Sequence, residues 1–187
     1  MSIDIKALTP ASFPALAEHF KRHRAESGTG GVHFMPFAAD DPNGPTGACA
    51  ERAFWPVDKP GWQRWFCAHD TASGNIVGHV DLKSDPLRAG LHWCHLGIGI
   101  ETAYRGQGLG ERLMDCAIGF VEAHPALACI ELRVFSDNTP AIALYRKKGF
   151  VEVGILKDRF RLQGQSIDDI VMVLLIGRLI GDGEIKK

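Results

Sequence analysis

The sequence predicts an α/β domain built on one mixed β-sheet, and three observations carry that reading. Alternating and helix-periodic stretches follow one another in the order β-α-loop-β-β-β-α-β-α-β-β, about seven strands flanked by helices. The stretch "ETAYRGQGLGERLM", Glu101 to Met114, sets Gly106, Gly108 and Gly110 between the strand-like "HLGIGI" and a run in which Leu109, Leu113, Ala117, Phe120 and Val121 recur at helical spacing. A length of 187 residues, 45% apolar and 23% charged, suits a single globular domain with a sizeable core.

"SIDIKAL" alternates and reads as the first strand. "TPASFPALAEHFKRHRAE" reads as a helix with Thr9 as N-cap, Pro10 at its first position, Pro14 still near its first turn, and Phe13, Leu16, Ala17 and Phe20 as its apolar stripe. A segment crowded with Gly, Pro and Asp follows, a loop over about 27–61 with a short helix near Ala48 to Phe54. Structureless loops of that length are uncommon in compact domains and often form lids or binding loops. "GWQRWFCAHD", the turn "TASGN" and "IVGHVDL" make a hairpin, and "RAGLHWCHLGIGI" makes a further strand, bulged or bent around Gly97 and Gly99. "CIELRVF" alternates, with Ile130, Leu132 and Val134 on one face. "SDNTPAIALYRKKGF" is a helix capped by Asn138 or Thr139, started by Pro140 and ended by Gly149. "VEVGILKDRFRLQGQSIDDIVMVLLI" closes the chain with two strands around a Gly-containing turn.

Charge and cysteine content narrow the function class. A formal net charge of −1 favours neither nucleic acid nor an anionic membrane as partner. "MSIDIKALTP" lacks the basic-then-apolar layout of a signal peptide, and "IVMVLLI" is too short to span a bilayer. Cys49, Cys67, Cys94, Cys116 and Cys129 are odd in number and without C-x-x-C spacing, as expected of reduced thiols in a cytoplasmic protein. The glycine loop is neither a dinucleotide G-x-G-x-x-G fingerprint, since Glu111 stands where the third glycine belongs, nor a P-loop, since Gly-Lys-Ser/Thr is missing. What it does offer is bare backbone N–H groups at a helix mouth, which suit an anion.

With these elements in place, the chain resembles the GNAT superfamily of N-acetyltransferases, which use acetyl-coenzyme A (acetyl-CoA). The family's diphosphate motif (Arg or Gln, two residues, Gly, one residue, Gly or Ala) is matched by Arg105, Gly108 and Gly110. Its second block is matched by Asn138, Ala141, Leu144, Tyr145, Gly149 and Phe150, with one helix and one strand between the blocks. The resemblance covers residues 75–176 well and the first 74 in outline. It implies one GNAT domain over 1–187, with splayed strands holding the coenzyme and the loop at about 27–61 on the acceptor side.

The resemblance also assigns roles. The main chain of Gln107 to Gly110 cradles the coenzyme's diphosphate, with Gly106, Leu109 and Arg105 beside it. Ile98, Gly99 and Ile100 form the strand edge along the pantetheine arm. An N–H near Ile98 serves as oxyanion donor, an arrangement worth about 3–4 kcal/mol per donor. Asn138 contacts the coenzyme as well as capping its helix. Tyr145 stands where the family keeps its general acid. Many relatives carry Glu ten residues before the motif's Arg; here His95 stands there, a competent base with a reference pKa of about 6.5. Glu101 or an ordered water are the alternatives. His92 and His95 lie three apart on a strand and so on opposite faces, and no metal is expected. Asp40, Asp41, Glu51, Asp168 and Asp169 are candidates for drawing in a cationic amine, and Phe34, Phe37, Trp55 or Trp62 for covering its apolar part.

The expected activity is transfer of an acetyl group from acetyl-CoA to a primary amine of a small molecule (an amine, amino acid or antibiotic) by direct attack in a ternary complex. The alternatives are a protein N-terminal or lysine acetyltransferase and a non-catalytic CoA-binding sensor. Relatives often pair through their C-terminal strands, so the resemblance admits a homodimer.

Overall fold

The computed structural model describes residues 2–29, 33–35 and 50–176. Seven strands form one mixed sheet, β1 (Ile3–Ala7), β2 (Gln63–Asp70), β3 (Ile76–Ser84), β4 (Trp93–Ile100), β5 (Cys129–Phe135), β6 (Val151–Leu162) and β7 (Gln165–Leu175). Three α-helices accompany them, α1 (Phe13–Glu26), α2 (Leu109–Glu122) and α3 (Thr139–Lys147). The spatial order is β1-β2-β3-β4-β5-β7-β6, antiparallel throughout except for β4 beside β5. The order of strands and helices expected from periodicity is the one found; of the loop expected at about 27–61, residues 30–32 and 36–49 lie outside the described residues.

Local details differ. Thr9 and Pro10 open a 3-10 turn over Pro10–Ser12, and the α-helix starts only at Phe13 with Ser12 as its N-cap. Pro14 thus falls in the first turn, where its missing N–H breaks no helical bond. The buried stripe of α1 is Leu16, His19, Phe20 and His23, so two histidines stand where only apolar residues were expected. β4 has no bulge at Gly97 or Gly99, since its pairing with β3 runs without a shift from Cys94–Ser84 to Ile100–Gly78. Of the short helix near Ala48 to Phe54, a 3-10 turn over Arg52–Phe54 is found, while Ala48 and Cys49 lie outside the described residues. α3 begins as its sequence dictates, with the Asn138 side chain accepting from the Ala141 N–H at 3.4 Å and Pro140 in the first turn.

The sheet is covered on both faces. One face carries α2 and α3 over Val80, Leu82, Cys94, Leu96, Ile130 and Leu132, the main core. The other carries α1 over Trp65 and Cys67 through Leu16 and Phe20. Gly110 brings α2 and α3 together, because a Cβ there would stand 3.0 Å from Leu144 Cδ2. Gly119, by contrast, sits on the exposed side of α2 with open space at its Cβ position and a φ outside the left-handed region. Replacing Gly119 with Ala should raise stability by about 0.5–1 kcal/mol through helix propensity, read as an increase in the urea midpoint at unchanged slope.

Candidate active site

The site follows from where two parallel strands part. β4 and β5 pair from Trp93–Cys129 to Leu96–Leu132 and no further, while β3 follows β4 to Ile100 and β7 follows β5 to Phe135. The direction of the freed main-chain groups can be read from the ladder ends. Glu101 N–H donates to Val77 O at 3.0 Å and Asp85 N–H to Trp93 O at 3.4 Å, so the odd-numbered residues of β4 exchange hydrogen bonds with β3. The polar groups of Leu96, Ile98 and Ile100 therefore point toward β5. Leu96 still meets it, but Ile98 and Ile100 face the gap. Across the gap, Ser136 N–H donates to Asp168 O and Ile176 N–H to Ala128 O, which leaves the main-chain groups of Arg133 and Phe135 facing back.

At the mouth of this cleft stands the glycine loop. Gly106 and Gly108 have φ of 72° and 74°, and nothing lies within 4 Å of a Cβ placed on either. Both are left-handed positions that suit glycine, and both leave the backbone bare. The first main-chain bond of α2 runs from Arg112 N–H to Gly108 O at 3.3 Å, so the N–H groups of Leu109, Gly110 and Glu111 have no intrahelical acceptor. The Gln107 side chain folds back onto Ala103 O at 3.2 Å and leaves its own backbone clear. Arg105 folds back along the surface: its Nε donates to Ile100 O at 2.8 Å, Nη2 lies 3.5 Å from Glu26, and its guanidinium covers the Phe34 ring at 4.8 Å.

Tyr145 lies on the α2 side, buried among the core of α3, and burial pushes its phenol up, so the ring keeps its proton across the physiological range. His95 lies on the opposite face of β4, 45% exposed in its side chain, with Nδ1 3.6 Å from Glu131 Oε1. Glu101 is buried and engaged, taking hydrogen bonds from His19 Nδ1 at 2.8 Å and Arg22 Nε at 3.0 Å.

Sequence reasoning missed the polar cluster that α1 and β3 build on the face shared with His95. His19 Nε2 lies 2.9 Å from His79 Nδ1, and His79 Nε2 lies 3.9 Å from Asp81 Oδ1. His23 stacks on His19 and on Phe34, with ring centroids 5.6 and 4.7 Å away. Burial pulls the imidazoles of His19, His23 and His79 down, His23 to about 3, so all three are neutral near pH 7. β4 makes room for them by omitting side chains. A Cβ on Gly97 would stand 2.5 Å from Asp81 Oδ1, and one on Gly99 would stand 2.6 Å from both His23 Nε2 and His79 Cε1. The signal was present in the sequence: His19 and His23 are four apart on a helix stripe, and alternation in "GHVD" puts His79 and Asp81 on one strand face.

Of the residues expected to wall the acceptor, Phe34 bridges His23 and Arg105, and Trp55 lies under Lys59, whose Nζ is 3.3 Å from its ring centroid. Trp62 does not reach the site: it is fully buried in the main core beside Phe120. An indole has enough apolar area to be drawn there. Asp168 is occupied by Lys157 at 2.7 Å, and Asp169 is buried 3.6 Å from Arg133. Glu51 is exposed, and Phe37, Asp40 and Asp41 lie outside the described residues.

A sheet split between two parallel strands, with an anion-ready helix mouth at the split, defines an acyl-coenzyme-type cleft. The comparisons agree. The model of the acetyltransferase (GNAT) family matches residues 34–150, so the chain belongs to that family. It is 32% identical over 118 residues to the L-amino acid N-acetyltransferase AaaT of Escherichia coli, covering 62% of this chain and 70% of that protein. It is 31% identical over 97 residues to the N-alpha-acetyltransferase RimI of Mycobacterium tuberculosis, covering 50% of this chain and 56% of that one. A GNAT-family acetyltransferase structure from Streptococcus pneumoniae superposes with TM-score 0.80 at 25% identity, over 94% of this chain and all of that one. The phosphinothricin acetyltransferase of Sinorhizobium meliloti in complex with AcCoA shares the fold, with TM-score 0.73 at 19% identity, over 95% and 90% of the two chains. No helix among the described residues is long and apolar enough to cross a membrane.

The packing at Gly99 yields a direct test. Gly99→Ala drives a methyl group into two buried imidazoles, and should cost about 1–3 kcal/mol, measured by chemical denaturation.

Proposed function

We propose that the protein transfers an acetyl group from acetyl-CoA to a primary amine of a small molecule. The parting of β4 and β5 beside the N-terminus of α2 is the observation that carries this reading. The residues present fit the coenzyme. The unpaired N–H groups of Leu109, Gly110 and Glu111, with open backbone at Gly106 and Gly108, suit a diphosphate, and the polar edge at Ile98 suits an amide-bearing arm, the Ile100 carbonyl being taken by Arg105. Asn138 follows the free end of β5, its N–H donating to Phe135 O at 3.0 Å, and Gln107 lies in the glycine loop itself. Acetyl-CoA supplies the activated acetyl thioester, and this chain supplies the rest.

The Ile98 N–H, aimed into the gap, donates to the oxygen on which charge develops during attack. Gly99, its neighbour, has its own polar groups committed to β3, so it serves the cleft by its missing side chain. Arg105 is tied to Ile100 O and Glu26, and its share in coenzyme binding is to fix the loop that follows β4 and to lend positive charge. Tyr145, kept protonated by burial, gives its proton to the departing thiolate. His95 on β4, which the sequence singles out as base, and Asp81 on β3 both stand on the α1 face of the sheet, where an amine can shed its proton. The small-amine acceptor draws support from the amino acid named in the AaaT relative. A protein N-terminus draws support from the weaker match to RimI.

Release of coenzyme A thiol from acetyl-CoA, measured over a panel of amino acids, polyamines, aminoglycosides, arylalkylamines and short peptides, tests the reading. Turnover with a small amine is the expected result; turnover confined to peptides moves the function to protein acetylation. Tyr145→Phe should lower kcat by about 100-fold while coenzyme A affinity changes little, since the ring stays and only the proton is lost.

A further inference from the structure

We propose that Asp81 is the group that takes the proton from the attacking amine, and that His79, held in one tautomer by His19 and Glu101, sets its readiness to do so. The inference rests on the acetyl-transfer reading and names a residue that the sequence motif does not supply.

Position comes first. Asp81 lies on β3 beside Gly97, its side chain leaning over β4 because Gly97 offers no Cβ. Gly97 is the first β4 residue beyond the pairing with β5, so this carboxylate lies over the apex of the cleft. Its side chain is only 5% exposed, and Oδ2 is ion-paired with Lys83 Nζ at 3.1 Å. A carboxylate offers about four lone-pair sites, so the pair with Lys83 leaves room for a further donor.

The histidines then fix the electrostatics. Glu101, which also takes a hydrogen bond from Arg22, accepts from His19 at Nδ1, so the neutral His19 ring carries its proton there. Its Nε2 is therefore an acceptor and takes the hydrogen bond of His79 Nδ1–H at 2.9 Å. His79, also neutral, is left with a lone pair on Nε2, the nitrogen that faces Asp81 Oδ1 at 3.9 Å. A lone pair facing a carboxyl group repels its ionised form and accepts from its protonated form. Burial adds to this, raising the Asp81 carboxyl, with Lys83 opposing. The other titratable and charged groups packed around the cluster are Arg22, His23 and Glu26 from α1, Cys67 from β2, His95 on the shared face of β4, and Arg105 beyond it.

The step balances within the named groups. The ammonium gives one proton to the Asp81 carboxylate. The freed nitrogen lone pair then forms the C–N bond to the acetyl carbon, the C–S bond breaks, the thiolate receives the Tyr145 proton, and the attacking nitrogen gives up its second proton, which restores the Tyr145 phenol. Asp81 loses its proton to water once the product leaves. Asp81 is the catalytic residue of this proposal; His79 and His19 are positioning residues. The sign of the pH dependence follows. Activity needs the Asp81 carboxylate, so kcat/KM is high above its raised pKa and falls as pH drops through it.

The test uses an acceptor that the wild-type protein turns over, so failure to find one counts against acetyl transfer and not against Asp81. Asp81→Asn should lower kcat/KM by about 100-fold for an amine that is protonated at the assay pH. The deficit should shrink at least tenfold with an acceptor whose nitrogen is already neutral, such as the hydrazide analogue. His19→Leu removes the acceptor of His79 Nδ1–H. His79 then moves its proton to Nε2 and donates to Asp81, and the acid limb of kcat/KM should shift to lower pH by about one unit. Coenzyme A binding of each variant, by calorimetry, reports that the cleft is intact. Equal loss on both acceptor types, or Asp81→Asn within about threefold of wild type, overturns the proposal. An acid limb that disappears in His95→Ala and persists unmoved in His19→Leu overturns it in favour of His95.

Discussion

β5 has two neighbours and cannot follow both. β7 keeps its register with β5 over the full strand, from Cys129–Leu175 to Phe135–Asp169, whereas β4 holds on only through Leu96. β4 is held just as continuously by β3 on its other side. The sheet is thus two antiparallel halves joined by a short parallel seam, and sheet twist carries the free ends apart. Strand edges opened inside a sheet carry donors and acceptors that need partners. Here the unpaired edges line a cleft, and the chain leaving β4 runs through a 3-10 turn over Thr102–Tyr104 directly into the bare N-terminus of α2. The same separation therefore creates the slot for an extended polar arm and delivers the anion-binding helix end to its mouth.

The two faces of β4 near the seam are built on opposite terms. Toward α2 and α3, Cys94, Leu96, Ile98 and Ile100 meet an apolar core that also holds Tyr145. Toward α1, Gly97 and Gly99 give up their side chains, and the space is filled from neighbouring elements by Asp81, His79 and His23. Neutral imidazoles can be buried where charged ones cannot; His19 has both nitrogens bonded, to Glu101 and to His79, and His79 has its Nδ1 bonded. His23 is less complete, with Nδ1 buried and without a hydrogen bond; its ring is instead held between His19 and Phe34. Such a network is a poor source of stability compared with apolar packing of equal volume. Its location over the cleft gives it a use that packing alone does not.

Much of this was legible in the residues because it is local. Strand alternation in "CIELRVF", the Asn138–Pro140 start and Gly149 end of α3, and the glycine loop are each fixed by neighbours in sequence, and each is found in place. Residues whose role depends on a distant partner were misread or missed. Trp62 is by sequence one of four aromatic candidates for the acceptor wall, but its environment is set by Phe120, which is remote in sequence. Gly97 and Gly99 signalled a bend because a glycine in a strand admits several causes, and the actual one, close approach of side chains from β3 and α1, is tertiary. His19 and His79 lie sixty positions apart and acquire meaning only when the sheet brings them to 2.9 Å.

Position 95 shows how such a departure can be absorbed. A motif defines its base by counting along one strand, and by that count His95 stands where a carboxylate is usual in proteins of this kind. A sheet, however, has a second direction. Odd-numbered residues of β3 and β4 share a face, with Asp81 beside Gly97 and Lys83 beside His95, so a carboxylate on β3 reaches over β4 as soon as the facing residue is glycine. The chemistry of removing a proton from an amine constrains where the oxygen lies relative to the thioester, not which strand supplies it. Gly97, which clears the way for Asp81, and the register between β3 and β4, which sets Asp81 beside it, are then as much a part of the site as the motif's own residues.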